Sequence, residues 1–142
     1  MILYLDAGSL LRHYVLDSGS ADVDAWMAHA DLVATSCSSL IEVAAGLSRR
    51  PPWTRPSRAW LSRALQRLES DWSDYLVIEP DERRAAAFAW RRRMCAPDAI
   101  HLAAAATIAE LAAPIPLVFS SFDRELCRVA REEGLAVIQP PQ

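Results

Sequence analysis

Ile2-Leu3-Tyr4-Leu5-Asp6-Ala7-Gly8-Ser9-Leu10 is the stretch from which the fold class is read. Four apolar residues make a strand, an acid stands at its end, and a helix is expected around Ser9–Val15. The same alternation continues. Ser20 is placed to cap a helix over Ala21–Ala30, with Asp22 and Asp24 in its first turn where carboxylates favour the dipole. Leu32–Thr35 reads as a second strand. Leu40, Val43, Ala44 and Leu47 recur at helical spacing and predict a helix from Ser38 to Arg49, stopped by Pro51-Pro52.

Pro56 and Ser57 open a further helix with an apolar stripe of Trp60, Leu61, Ala64, Leu65 and Leu68. Tyr75–Ile78 is a third strand, and Asp81 caps a helix running to Arg93. Pro97 suits a first helical position, so Asp98–Ala113 reads as a long alanine-rich helix. Leu117–Phe119 is a fourth strand. Arg124–Glu133 is a helix ended by Gly134, and Leu135–Ile138 is a fifth strand. Strands alternating with helices argue for an α/β fold: a three-layer α/β/α sandwich around a parallel sheet of about five strands, in one domain spanning residues 1–142.

With 142 residues, 52% hydrophobic and 23% charged, the chain has the composition of a folded globular protein. It has no apolar run of the roughly 20 residues a membrane span needs, and no secretory leader, so a cytoplasmic location is expected. Cys37, Cys95 and Cys127 are widely spaced and read as reduced thiols. The net charge of −3 does not describe a general nucleic-acid binder, but its distribution is uneven. Residues 49–67 carry six Arg and no acid, and a second run from Arg83 to Arg93 carries five Arg and no acid. All fifteen basic residues are Arg, whose forked guanidinium matches phosphate oxygens.

Asp6 follows the first strand, Asp123 the fourth, and Asp98 opens a helix. In open α/β sheets ligands bind beyond the carboxyl ends of the strands, and Asp6 and Asp123 would both project there if their strands are adjacent. Glu42 lies one turn into its helix between Ile41 and Val43, an awkward place for a bare charge. Two like charges ~4 Å apart repel by about 4 kcal/mol at an effective dielectric near 20. A shared cation or partial protonation relieves this. Hard oxygen donors without a His or Cys cluster favour Mg²⁺ or Mn²⁺ over Zn²⁺. Each acid also has a plainer reading: Asp6 and Asp123 as helix caps, Asp98 as a dipole partner, Glu42 as a rim residue.

Tyr-Leu-Asp6-Ala-Gly-Ser-Leu, Ser36-Cys-Ser-Ser39-Leu-Ile-Glu42-Val, Pro97-Asp98-Ala-Ile-His101-Leu-Ala and Ser121-Phe-Asp123-Arg-Glu-Leu126, in this order, resemble the PIN domain, specifically the VapC-type toxins of prokaryotic toxin–antitoxin pairs. The resemblance implies a parallel sheet of about five strands and Mg²⁺- or Mn²⁺-dependent cleavage of structured tRNA or rRNA. Asp6 and Asp98 would bind metal directly, and Glu42 and Asp123 would complete the acidic pocket. It also implies a homodimer and a cognate antitoxin. Family members commonly carry Thr-Ser or Thr-Asn after the first Asp, where this chain has Ala7 and Gly8 with Ser9 one position later. They often have a basic residue where this chain has Cys95.

Ser9, Ser39 and Ser121 are candidate substrate contacts beside the acids, and Arg49, Arg50 and Arg55 candidate phosphate contacts. Trp53 and Trp60, interleaved with arginines, read either as stacking platforms for unpaired bases or, for Trp60, as part of its helix's core stripe. This region also suits a groove for the antitoxin or a second protomer. His101 reads as a base or ligand, or as a packed, hydrogen-bonded histidine. A phosphoryl-accepting enzyme would need a Lys and the chain has none; no GxSxG or glycine-rich nucleotide loop is present. The remaining alternative is a degenerate PIN module that binds a protein or RNA without cutting it.

Overall fold

The computed structural model describes residues 1–50 and 57–140. Five parallel strands form one sheet in the order β3-β2-β1-β4-β5. They are β1 (Ile2–Leu5), β2 (Leu32–Ser36), β3 (Leu76–Ile78), β4 (Leu117–Ser120) and β5 (Ala136–Ile138). The helices are α1 (Ala7–Tyr14), α2 (Ser20–His29), α3 (Ser39–Ser48), α4 (Arg58–Asp71), α5 (Glu82–Arg92), α6 (Ala96–Leu111) and α7 (Arg124–Glu132).

β1 sits at the centre, and its alternation divides the core. Ile2 and Tyr4 face a cluster with Phe88, the α6 alanines and Leu126, while Leu3 and Leu5 face Leu10, Val43, Leu47 and Leu68. A strand covered on both faces must be apolar throughout, which is why β1 lacks alternating polarity. Ala103, Ala104 and Ala105 are fully buried, so α6 seats closely on the sheet. Tyr4 stacks on Phe119, its cross-strand partner, at 5.5 Å between ring centres.

Most expected boundaries hold within two residues. α1 starts at Ala7, earlier than expected, because Asp6 caps it. Ser20 is not the cap of α2: Gly19, at φ +86°, occupies that position, and the Ser20 hydroxyl donates to the Val15 carbonyl at 2.6 Å. The stop expected at Pro51-Pro52 lies outside the described residues, as do Trp53, Arg55 and Pro56. α7 ends as expected at Gly134, at φ +88°, with the Leu135 amide donating to the Ala130 carbonyl and the Gly134 amide to that of Arg131. No helix among the described residues is long and apolar enough to cross a membrane.

Candidate active site at the carboxyl edge of the sheet

From β1 the chain pairs leftwards with β2 and then β3, and rightwards with β4 and then β5, so the connections diverge at the β1–β4 edge. That switch point opens a crevice beyond the strand ends. Asp6 lies there, 7% exposed, with Oδ1 accepting the Ser9 amide at 2.7 Å. Its other oxygen meets no protein donor among the described residues. Asp123, exposed at the end of β4, caps α7 in the same manner, accepting the Leu126 amide at 2.8 Å. The capping reading of both acids is therefore observed, and it occupies one oxygen of each.

The thiol of Cys127, beneath β4, registers these two acids. Burial pushes it up to about 11, with the charges of Asp6 and Asp123 adding to the rise and Arg131 opposing it. Asp98 stands in the first turn of α6, half-buried beside Cys95. The Asp98 amide lowers the Cys95 thiol, but the Asp98 carboxylate and burial outweigh it, so the net shift is upward.

Glu42 is anchored from two sides. Its Oε1 accepts from His101 Nε2 at 3.2 Å and from the Ser38 hydroxyl at 2.8 Å. Burial alone would raise its carboxyl, but the His101 hydrogen bond and charge, with Ser38, bring it below the usual carboxylate range. His101 is buried and also lies 2.9 Å from the Tyr4 hydroxyl through Nδ1. The Tyr4 hydroxyl is held protonated, first by burial and then by the charges of Asp6 and Glu42. An ionised Glu42 only accepts, which places a proton on Nε2. The Ala7 amide, 3.4 Å from the same Nε2, is the longer contact and gives way. His101 is thus the packed, hydrogen-bonded histidine, and its partner is one of the expected site acids.

Beneath the acids runs a layer of buried hydroxyls. Thr35 donates to the Leu5 carbonyl and pairs with Ser39 at 2.6 Å, while Ser120 donates to Ser9 at 3.0 Å. Ser9 and Ser39 are fully buried, so they support the site from below. Ser121 is also buried, and its hydroxyl accepts the Asp123 amide at 3.0 Å. Gly8 lies over Asp6: a Cβ there would sit 3.6 Å from Asp6 Oδ1, an ordinary contact. Arg49 is exposed at the end of α3, and Arg50 bonds Asp17 at 2.9 Å. Trp60 packs on the core with Leu61 and Leu65, as its periodicity required.

Asp6 and Glu42 both act on Tyr4, Asp6 and Asp123 both act on Cys127, and Asp98 lies one turn before His101 on α6. Among the described residues, however, no three His, Cys, Asp or Glu side chains converge as a ready-made metal cage. The donor chemistry still fits a hard divalent ion, because Mg²⁺ is commonly held by one or two carboxylates and keeps several waters. No Arg among the described residues pairs with Asp6, Glu42, Asp98 or Asp123, although Arg84, Arg92 and Arg128 are paired with acids elsewhere. Apart from this crevice, an apolar groove of about 510 Å³ runs between α3 and α4, lined by Ala44, Leu47, Arg58, Leu61 and Leu65.

The Tyr4–His101–Glu42 link is not among the contacts expected from the sequence. Its signal was present: Tyr4 alternates onto the same face of β1 that α6 covers, and His101 is spaced three residues from Asp98.

The structure is similar to PAE2754 from Pyrobaculum aerophilum, with 24% identity, coverage of 96% of this chain and 83% of that one, and a TM-score of 0.64. It is also similar to FitAcB from Neisseria gonorrhoeae, with 19% identity, coverage of 97% and 96%, and a TM-score of 0.64. VapBC2 from Rickettsia felis, solved bound to a DNA fragment from their promoter, matches at 14% identity, coverage of 99% and 100%, and a TM-score of 0.62. No curated protein sequence matches the chain. A family model for the PIN domain matches residues 3–132, which take in all four candidate acids and run from β1 through β4 to the end of α7. By that match, and by the sheet order that carries Asp6 to its switch point, the chain belongs to the PIN domain family.

Proposed function

We propose that this PIN domain, a single module over residues 1–142, is a metal-dependent endoribonuclease acting as the toxin of a toxin–antitoxin pair. PIN domains are generally nucleases, and the solved relatives named VapBC2 and FitAcB point to the toxin–antitoxin setting. The observation that carries the reading is the unneutralised acidity of the crevice. In a chain with fifteen arginines, its four carboxylates take none of them among the described residues. An acidic crevice that no arginine neutralises is suited to an external cation.

Asp6 and Asp98 would hold a Mg²⁺ or Mn²⁺ ion directly, and Glu42 and Asp123 would complete the pocket. Such an ion, when bound, acidifies water and neutralises charge developing on a phosphodiester. The chain's own residues do the rest. Asp6 is oriented by the Ser9 amide and Glu42 by His101 and Ser38. Ser9, Ser39 and Ser121 hold the strand ends that present the acids, and Arg49, Arg50 and Arg55 dock the RNA backbone. The groove between α3 and α4 suits an apolar segment of the antitoxin, and a homodimer is expected.

The test is cleavage of total tRNA by partner-free protein in Mg²⁺, beside Asp98→Asn. Cleavage by the parent alone supports the proposal; equal cleavage by both, or by neither, overturns it. A second reading, a PIN module that binds RNA or protein without cutting, is favoured by the absence of three converging donors among the described residues. Mg²⁺-independent RNA or partner binding with no cleavage would select it.

A further inference from the structure

Trp90 is the only exposed Trp, Tyr or Phe among the described residues, at 87% exposure. It lies on α5, whose inner face buries Ala85 and Phe88 and whose outer face presents Arg83, Ala86, Ala87 and Trp90 at helical spacing. The two alanines leave the indole unscreened by larger neighbours along the helix. Of the five arginines in the run from Arg83 to Arg93, three are engaged. Arg84 bonds Glu110, Arg92 bonds Glu132 and Glu133, and Arg91 lies over the Phe88 ring with Glu133 at 3.9 Å. Arg83 and Arg93, which flank Trp90, have no acidic partner among the described residues.

The patch also has a defined place. Arg84, at the start of α5, bonds Glu110 and approaches Thr107 near the end of α6, so the two helices run antiparallel. Trp90 therefore lies at the end of α5 that turns through Arg93–Cys95 into the first turn of α6, where Asp98 stands.

We infer that Trp90, with Arg83 and Arg93, is a docking platform for single-stranded RNA leading to the Asp98 end of the crevice. The indole stacks on an unpaired base and the two guanidiniums contact phosphates on either side. Stacking on an aromatic platform is tolerant of sequence because every base has a π-face. Protein-docking patches are contiguous and apolar at their centre, with charge at the rim. Here one ring stands between cations and alanines, and the other large exposed side chains nearby in sequence, Leu111 and Ile115, lie at the opposite end of α6.

The inference rests on RNA being the substrate, and its test is separable from cleavage. Binding of a labelled oligouridylate of roughly ten nucleotides is measured by anisotropy in EDTA, across a salt series. Trp90→Ala is expected to weaken binding about 5- to 100-fold with an unchanged salt slope, and Trp90→Phe to recover most of it. Arg83→Ser and Arg93→Ser are each expected to reduce the slope by about 0.7. Trp90 is exposed, so these variants fold. Parent-like binding by Trp90→Ala, no binding of oligouridylate by the parent, or a change of sedimentation in Trp90→Ala that assigns the ring to a protein interface would each overturn it. Loss of the platform with Asp98-dependent cleavage intact would leave the nuclease proposal standing. Stacking without any cleavage would do the reverse.

Discussion

Glu42 and His101, fifty-nine positions apart in the chain, meet at 3.2 Å across the boundary between α3 and α6. The contact ties the helix that carries Asp98 to the one that carries Glu42, and Tyr4 joins both to the central strand. A carboxylate held below its usual value makes folding favour the ionised form. Its stabilising contribution is full above the unfolded value of 4.5 and is lost as pH falls through the lowered folded value. Urea midpoints measured from pH 7 down to pH 3 should therefore drop on the acid side in the parent. In Glu42→Gln that slope should be shallower; an unchanged slope would mean that Glu42 contributes nothing to it.

His101 itself is tested by its replacements. Gln offers an amide where Nε2 stands and should keep a donor on Glu42, whereas Leu leaves both Glu42 and the buried Tyr4 hydroxyl short of a partner. The Leu variant is expected to lose about 1–3 kcal/mol, with Gln losing less. Carboxyl ¹³C titration should show Glu42 rising in His101→Leu only.

Asp6 is both a helix cap and a proposed ion ligand, and Asn separates the two roles. Asn caps as well as Asp, so Asp6→Asn should retain the parent's stability, while Asp6→Ala loses about 1 kcal/mol. The melting temperature of the parent should rise with Mg²⁺ and return after EDTA. That rise should vanish in both variants. A Mg²⁺ response surviving in Asp6→Asn would remove Asp6 from the ion's ligands.

Gly19 has φ +86°, and a Cβ there would overlap the ring edge of Phe122. That ring also carries the Arg12 guanidinium at 3.8 Å and precedes Asp123. Gly19→Ala is strained by backbone and by space together, and should cost about 1–3 kcal/mol by denaturant unfolding. Phe122→Ala in the same chain should relieve part of that penalty, which a double-mutant cycle would measure.

The fold was legible because its signals are local and strong. The apolar run of β1, the Asp81 cap and the Gly134 stop all act within a few residues, and each stands where expected. The Ser20 cap failed for a local reason too: its hydroxyl found the Val15 carbonyl, and a glycine took the turn. The site was legible only as a set of acids at strand ends. That Glu42 faces a histidine instead of another carboxylate depends on how α6 lies across β1, a relationship set by packing. Trp90 is the converse case, since its exposure follows from the α5 periodicity that buries Ala85 and Phe88.

The sheet order has a consequence for synthesis. β1 leaves the ribosome before the other four strands, yet one of its two neighbours, β4, begins at residue 117. Any nascent or truncated product that stops short of that point lacks a wall of the crevice. The edge that gathers Asp6 and Asp123 comes into being only when translation has nearly traversed the domain.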